Sequence, residues 1–390
     1  MLIIYFGDHL NAPRVIRTIN ALINDFEVHV FSTADNNDKR IQFTSIKNLI
    51  NDFQPPAFHL KWPAIVRKPI NLIVKLLSEK KYNTNTYFKN KYWSNGRKQI
   101  LEKINNLDPN VIIGHGIYTL PLLSENKTKA KRIFNAHEYY LKEFEEMPVW
   151  VKYTQPYYEF LAKTYFKSID LMFCVCETIE KEYQKNFNLK SVVITNATDF
   201  KELTPTKTGH EIKIIHHGAA LRTRAIELMA EMMKYLESNY HLYLMLVPTD
   251  VNYLNELKTN YAQQNNVHFI EPVEFDLIPS ECNKYDIGLF ILPPVNFNWL
   301  NALPNKLYEY VQGRLCVAVS PNPEMKTVVE KYNLGVVSND YTPKAMADKI
   351  RSLSSSDINK YKEQAHEHAK ELAGEIEQQK MNKAIKDLLN

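Results

Sequence analysis

The feature that most constrains the fold is an alternation of short apolar runs with amphipathic stretches along the whole chain. In the first half the apolar runs are "LIIYF", "EVHVFS", "VIIGH", "RIFNA", "LMFCV" and "VVIT". In the second half they are "KIIHH", "LYLMLV", "VHFI", "IGLFIL", "LCVAVS" and "GVV". Short buried strands separated by helices are typical of βαβ units and parallel sheets. Two such series predict two doubly wound α/β domains.

The length of the chain agrees with this division. It has 390 residues, and single hydrophobic cores stop growing beyond about 250–300 residues. A polar stretch without periodicity, "ATDFKELTPTKTGHE" at 197–211, contains proline and glycine and predicts the seam. We therefore assign residues 1–200 to an N-terminal domain and 201–370 to a C-terminal domain. The remainder, 371–390, ends a long predicted helix that could cross back to the first domain.

Composition narrows the class of protein. Apolar residues make up 45% and charged residues 24% of the chain, as in globular proteins. No run approaches the about 18 apolar residues of a membrane helix. The start, "MLIIYFGDHL", lacks a basic stretch before its apolar run and is typical of a first strand rather than a signal peptide. We expect a cytoplasmic protein.

The four cysteines predict buried, reduced thiols. Cys174 and Cys176 form a Cys-x-Cys pair, but no second Cys or His pair lies at zinc spacing. The adjacent His216 and His217 also lack a third ligand at a suitable spacing. We expect no metal site.

The charge of the chain is unevenly distributed. Residues 58–99 contain ten Lys or Arg and one acid, Glu79, for a net charge of +9, so the remainder carries −5 of the total of +4. Interleaved aromatic residues and an amphipathic stretch, Ile70 to Leu77, suit an anionic membrane surface. A solvated basic loop with a helix packed on the domain is an equal alternative. No nucleic-acid motif accompanies the charge, so we expect no nucleic-acid partner.

One stretch of the second half, "ALPNKLYEYVQG", could carry chemistry. Pro304 fits the first position of a helix, where free N–H groups and the helix dipole favour an anion. Lys306 adds a positive charge there, and Glu309 shares its face of the helix. This pattern predicts a site for a diphosphate and for sugar hydroxyls. The alternative is a surface Lys–Glu pair on an ordinary helix.

The longer segment "YDIGLFILP…NALPNKLYEYVQGRLCVAVS…E…GVV" resembles the donor-binding segment of the retaining glycosyltransferases of family 4. Five further stretches resemble that family in the same order: "NAPRVIRTINAL", "PNVIIGHGIYTLPLL", "IFNAHEYY", "VVITNATD" and "IIHHGAALRTRAIELMAEMMKYL". The resemblance implies the GT-B fold, in which two doubly wound, Rossmann-like domains face each other across a cleft. It also implies transfer of a sugar from a nucleotide-sugar donor to an acceptor with retention. No Asp-x-Asp motif is present, and no metal or other cofactor is implied.

The resemblance also implies roles for individual residues. The implied catalytic residues are His137, on the first domain, and Arg224 and Lys306, near the leaving diphosphate. The implied donor-binding residues are Asn305, Glu309, Glu324, Gly218 and Arg222. Glu309 would bind the ribose hydroxyls, and Arg222 could substitute for a basic residue that the chain lacks. Glu324 could contact the donor sugar or simply begin a helix, where a carboxylate suits the dipole.

Some positions depart from the family pattern. The first of two usual glutamates is replaced by Asn301, and Gly116 replaces the common Asp after His115. His115 itself is either an acceptor-site residue or a structural one. Two hypotheses follow. The first is a bacterial glycosyltransferase that builds a surface polysaccharide or glycolipid on a glycan or lipid-linked acceptor, peripheral to the inner membrane face if residues 58–99 bind it. The second is a GT-B-shaped binding or partner subunit that has lost catalysis.

Overall fold

The computed structural model of the chain describes residues 1–35, 39–50 and 85–390. The strands in these ranges are Leu2–Tyr5 (β1), His29–Ser32 (β2), Gln42–Ser45 (β3), Val111–His115 (β4), Lys131–Asn135 (β5), Leu171–Cys174 (β6), Ser191–Val193 (β7), Ile212–Ala219 (β8), Tyr240–Val247 (β9), Val267–Ile270 (β10), Ile287–Phe290 (β11), Cys316–Val319 (β12) and Gly335–Val337 (β13).

The α-helices of the same ranges connect these strands. They are Pro13–Leu22 (α1), Lys47–Ile50 (α2), Asn85–Tyr92 (α3), Asn95–Leu107 (α4), Leu120–Glu125 (α5), Pro148–Tyr153 (α6), Gln155–Tyr165 (α7), Glu177–Phe187 (α8), Glu227–Met232 (α9), Val251–Asn260 (α10), Ile278–Cys282 (α11), Phe297–Leu300 (α12), Asn305–Gln312 (α13), Pro323–Lys331 (α14), Pro343–Arg351 (α15), Ser355–His368 (α16) and Gly374–Leu389 (α17). Short 3₁₀ turns, among them Arg222–Arg224, join several of them.

The strands form two parallel sheets. The first has the order β3-β2-β1-β4-β5-β6-β7 and the second the order β10-β9-β8-β11-β12-β13. Each order reverses direction once, between β1 and β4 and between β8 and β11. In open parallel sheets ligands bind beyond the carboxyl ends of the strands at such a switch point. The predicted pair of doubly wound, Rossmann-like domains is confirmed.

The strand that sequence reasoning missed is β3. It lies at the edge of the first sheet and pairs with β2 from His29↔Gln42 to Ser32↔Ser45. Its two terminal residues are exposed and only Phe43 is strongly apolar. An edge strand with this composition has no apolar run by which periodicity could detect it.

The described chain divides into two compact units. The first unit contains Met1–Ile194 and Gln378–Asn390, and the second contains Thr195–Glu377. In the first unit, Met381 and Ile385 of α17 are buried in the same core as the β1 residue Ile3 and the β4 residue Ile113. The core of the second unit gathers apolar residues of β8, β9, β11 and β12 with those of α9, α10 and α15.

The tail is not one long helix, as its sequence predicts, but two helices, α16 and α17. The break ends at Gly374, whose N–H donates a 2.9 Å hydrogen bond to the carbonyl of Thr198. A Cβ at Gly374 would lie 2.4 Å from the Asp199 carboxylate and 3.1 Å from the Ala197 carbonyl. The helix is therefore interrupted where the segment 197–199 passes against it.

The cysteine prediction is confirmed, because Cys174, Cys176, Cys282 and Cys316 are all buried and free. Burial raises the pKa of the Cys174 thiol. Among the described residues no helix has both the length and the apolarity needed to cross a membrane. Most of the basic segment 58–99, including Ile70 to Leu77, lies outside the described residues; its remainder forms α3 and the start of α4.

Candidate functional site

Helix α13 carries the stretch singled out in the sequence. Pro304 is the N-cap rather than the first helical residue, with extended backbone angles of φ −80° and ψ 160°. Leu307, Tyr310 and Val311 are buried and form the core-facing side of the helix. This packing leaves the start of the helix directed at the edge of the sheet where β8 and β11 end.

Two glycine-dependent contacts seat the helix. The ring of Tyr310 packs so close to Gly288 of β11 that an added Cβ would lie 2.3 Å from it. The Tyr310 hydroxyl donates a 3.0 Å hydrogen bond to the carbonyl of Leu289. At the other end, a Cβ on Gly313 would lie 2.9 Å from the Cβ of Cys282, and Arg314 rather than Gly313 takes the left-handed conformation, with φ 59°.

Lys306 lies at the switch point of the second sheet. Its Nζ would be 2.6 Å from a Cβ at Gly218, the last residue but one of β8, where φ is +130°. The same Nζ lies 5.1 Å from the centroid of the Phe290 ring, which ends β11. The predicted residues Lys306 and Gly218 are therefore brought together, and only glycine at 218 leaves room for the amine.

Arg224 supplies a second cation to this region. Its guanidinium lies 5.2 Å from the centroid of the Trp299 ring. Burial, followed by the charge of Arg224, lowers the pKa of Lys306 to about 8, while Glu309 opposes the shift. Two cations that destabilise each other are typical of a site built for an anion.

The turn that presents Arg224 is strained. The next residue, Ala225, adopts the left-handed conformation with φ 47° and ψ 48°. For a residue with a Cβ this conformation costs roughly 1–2 kcal/mol. Such strain persists where the surrounding structure imposes it, often at functional sites.

Glu309 is not a surface residue. It is 2% exposed, and its Oε2 lies 3.3 Å from Nε2 of His217, the residue before Gly218. The alternative of an exposed Lys–Glu pair is therefore wrong. A buried carboxylate beside a cation pair can accept hydrogen bonds from ligand hydroxyls.

The adjacent histidines of β8 point to opposite faces of the sheet, as successive strand residues do. His216 donates from Nδ1 to the Leu289 carbonyl at 3.0 Å and stacks on Phe290. His217 contacts the Tyr310 ring edge-on, with centroids 5.3 Å apart. Burial and the Lys306 charge lower the pKa of His216 to about 3 and that of His217 well below its usual value. Both rings are neutral at physiological pH, and no group of three His, Cys, Asp or Glu within the described ranges could hold a metal ion.

Three other predicted residues are placed around this centre. Asn305 is the first residue of α13 and is partly exposed. Glu324 lies in the first turn of α14, two residues after Asn322, whose side-chain amide donates to the carbonyls of Leu292 and Trp299 at 3.2 and 2.8 Å. Arg222 is exposed and pairs with Glu256 at 2.5 Å. The structure thus places Glu324 at the start of α14, after a residue bonded to the loops that follow β11, and it engages Arg222 in a surface ion pair.

Asn301, at the position of the missing glutamate, is 5% exposed. Its amide Nδ2 donates a 2.9 Å hydrogen bond to the carbonyl of Phe297, one turn earlier in the chain. The residue caps the end of α12. The side chain supports the local backbone and offers no carboxylate.

His137 belongs to the first unit, where it follows β5. Its Nε2 lies 2.9 Å from Nδ1 of His115, the last residue of β4, and both rings lie 6.3 Å from that of Tyr5 at the end of β1. These residues gather at the switch point between β1 and β4. Burial and the charge of Arg14 lower the pKa of His137 to about 3, so its imidazole is neutral and suited to hydrogen bonding.

Sequence reasoning missed three residues of the second unit that contact the predicted ones: His217, Phe290 and Trp299. Two of them stand next to motifs that were recognised, because His217 precedes Gly218 and Phe290 lies within the predicted strand "IGLFIL". Nothing in the spacing of Trp299 indicates that it would lie against Arg224, since the three strands β9, β10 and β11 lie between them in the sequence.

The second unit is similar in sequence to a known protein family. Residues 199–372 match the family described as "Glycosyl transferases group 1". The matched range includes Gly218, Arg224, Lys306 and Glu309. The similarity to this family thus lies almost wholly within the second unit and covers less than half of the chain. No curated protein matches the chain by sequence.

Solved structures are similar to the chain over both units. Sucrose-phosphate synthase from Thermosynechococcus elongatus has a TM-score of 0.68 at 12% identity, over 100% of this chain and 99% of that one. Anabaena HepE in complex with UDP has a TM-score of 0.68 at 11% identity, over 99% of each chain. The UDP-forming α,α-trehalose-phosphate synthase from Burkholderia xenovorans has a TM-score of 0.64 at 11% identity, over 100% of each. At such low identity these similarities concern the fold alone, and they confirm the predicted GT-B fold.

Proposed function

We propose that the protein is a retaining glycosyltransferase that takes a sugar from a nucleotide-sugar donor without a metal ion or other cofactor. The observation that carries the proposal is the cation pair Lys306 and Arg224 at the carboxyl ends of β8 and β11, with buried Glu309 one turn along α13. An anion site beside a buried hydrogen-bond acceptor suits a nucleoside diphosphate, which combines phosphates with ribose hydroxyls.

The chemistry assigns a task to each residue. Breaking the glycosyl–phosphate bond moves negative charge onto the diphosphate, and fixed cations stabilise that charge in the transition state. Lys306 and Arg224 take this role, while Asn305 lies at the helix start, whose N–H groups favour phosphate. Glu309 accepts hydrogen bonds from the ribose hydroxyls. Glu324, Gly218 and Arg222 complete the donor-binding set.

His137 is proposed as the catalytic residue of the first unit. Its neutral imidazole can accept or donate a hydrogen bond to a sugar hydroxyl without adding charge. The contact with His115 fixes the ring in place. His115 is accordingly proposed to support this residue from the acceptor side.

The acceptor is proposed to be a glycan or a lipid-linked glycan of bacterial cell-surface polysaccharide or glycolipid synthesis. A cytoplasmic enzyme would meet a lipid-linked acceptor at the inner membrane face. The positive charge of residues 58–99 suits such a surface. The similar trehalose-phosphate and sucrose-phosphate synthases suggest sugar phosphates as further acceptors to test.

A second candidate is a GT-B-fold binding or partner subunit without catalysis. Asn301 favours it, because the amide at this position is bonded to the backbone of Phe297 and provides no carboxylate. This candidate retains the nucleotide site but predicts no turnover.

A nucleotide screen followed by a turnover assay tests the proposal. UDP, GDP and ADP are added to the purified chain, and the midpoint of thermal unfolding is measured; a ligand at 100 times its Kd stabilises by about 2.7 kcal/mol. One nucleotide should raise the midpoint, and its sugar derivatives should be hydrolysed slowly or transferred to acceptors. Binding without turnover of any donor would favour the partner subunit, and no shift with any nucleotide would contradict both candidates.

A further inference from the structure

The contact between His217 and Glu309 has a geometry that needs an explanation. Both side chains are almost fully buried, with exposed fractions of 4% and 3%. Nε2 of His217 lies 3.3 Å from Oε2 of Glu309, yet within the described part of the chain this nitrogen makes no hydrogen bond. A buried polar atom without a partner is unfavourable, because it has lost its hydrogen bonds to water without replacement. The imidazole is thus held close to the carboxylate, and a small rearrangement would form a hydrogen bond between them.

The imidazole is held in place by its surroundings. His217 lies in the second half of β8. This strand pairs with β9 along its whole length. The ring is packed edge-on against Tyr310, which is itself bonded to Leu289. The terminal torsion of a glutamate is broad, so rotation of the Glu309 carboxylate is the movement that brings Oε2 into line with Nε2–H.

We propose that His217 is a positioning residue that donates a hydrogen bond from Nε2 to Oε2 of Glu309 when nucleotide binds, so that Glu309 presents its remaining acceptor sites to the ribose. The inference rests on the proposed function, because it assumes that Glu309 is the ribose contact. It adds a residue that does not touch the ligand, and it explains why a histidine is buried next to Gly218.

The charges around Glu309 agree with this role. Lys306, on the same helix, favours the ionised carboxylate, whereas the Cys282 thiol and the Tyr310 hydroxyl contribute no charge because burial raises the pKa of each. His217 is neutral, since burial and Lys306 hold its pKa well below the usual value. A neutral donor can orient the Glu309 carboxylate without neutralising its negative charge, which favours the charged form of Lys306.

The test compares three variants of the full chain by calorimetric titration with UDP, with GDP and ADP in parallel. His217→Phe keeps a ring against Tyr310 but removes the donor, and should weaken binding about tenfold. His217→Gln keeps an N–H donor and should restore part of the affinity. In the Glu309→Gln background, His217→Phe should cause little further loss, because the two residues act as a unit.

Rescue by glutamine separates positioning from a structural role, because His217→Gln restores an N–H donor but not the ring that packs against Tyr310. Additive losses in the double variant, with no recovery of affinity in His217→Gln, would overturn the inference. Failure of the proposed function looks different: then Glu309→Gln itself leaves nucleotide affinity unchanged, or no nucleotide binds.

Discussion

At the scale of single residues, the proposed transfer reaction depends on the two cations. Replacing Lys306 or Arg224 with Ala should lower turnover at saturating donor, because phosphate charge grows as the bond breaks. Removing one donor to such a charge costs about 2.7–4 kcal/mol in the transition state. Steady-state kinetics with the identified donor measures this. An increase in KM alone, with kcat preserved, would assign these cations to ground-state binding.

The lowered pKa of Lys306 predicts a pH dependence. The free protein loses this charge as pH rises through about 8, so affinity for a nucleoside diphosphate should decrease about tenfold between pH 7 and pH 9. Lys306→Arg is the matched control, since arginine stays charged throughout. Titration calorimetry at several pH values provides the measurement. An equally steep decrease in the Lys306→Arg variant would mean that another group titrates.

The sequence could single out Lys306, Glu309 and Gly218 as candidate site residues, but it could not show how they are buried. A Lys and a Glu three positions apart occur both in surface ion pairs and in binding sites. The spacing of Lys306 and Glu309 therefore cannot distinguish the two. The distinction comes from tertiary contacts: Gly218 and Phe290 surround the amine, and His217 covers the carboxylate. Those partners are about 15 to 90 residues away along the chain, beyond the reach of local patterns.

At the scale of elements, strands with apolar runs were predictable because burial on both faces of a parallel sheet demands them. The edge strand β3 was not predictable, because a strand that is exposed at the edge of the sheet needs fewer apolar residues. The break before α17 was not predictable either, since the clash that excludes a side chain at Gly374 involves Asp199, far away in sequence. Helix bounds, as at Pro304, depend on a cap geometry that composition alone does not determine.

The seating of α13 gives a prediction at this scale. Gly288→Ala places a Cβ 2.3 Å from the Tyr310 ring, and overpacking of this kind costs about 1–3 kcal/mol. The midpoint of thermal unfolding should fall by several degrees, and nucleotide affinity should fall with it because α13 is displaced. Gly209→Ala is the control, since nothing lies within 4 Å of the added atom. Equal midpoints for the two variants would show that Tyr310 does not fix the helix.

At the scale of the whole molecule, the uneven charge predicts where the protein binds. Changing Arg67, Lys68, Lys75, Lys80 and Lys81 to Gln should abolish binding to anionic liposomes, because each cation contributes about 1 kcal/mol near such a surface. Flotation at low and high salt measures this, since salt screens the attraction. Transfer to a soluble acceptor analogue should survive.

The control for that experiment removes five exposed cations of the second unit. Changing Lys234, Lys258, Lys326, Lys344 and Lys360 to Gln alters the total charge equally and should leave flotation intact. If the native protein floats equally with neutral and anionic liposomes, or with neither, the electrostatic docking hypothesis is wrong.

The central claim is that Glu309 and its neighbours bind the nucleoside diphosphate of a sugar donor, and the most direct measurement is nucleotide affinity in Glu309→Gln. The substitution preserves the shape of the buried side chain. It removes the negative charge of the carboxylate that is proposed to accept hydrogen bonds from the ribose hydroxyls. A hydrogen bond to a charged group is worth about 1.5–3 kcal/mol, so Kd should rise at least tenfold. The unfolding midpoint without ligand should stay close to that of the exposed control Glu330→Gln. Unchanged affinity would contradict the claim.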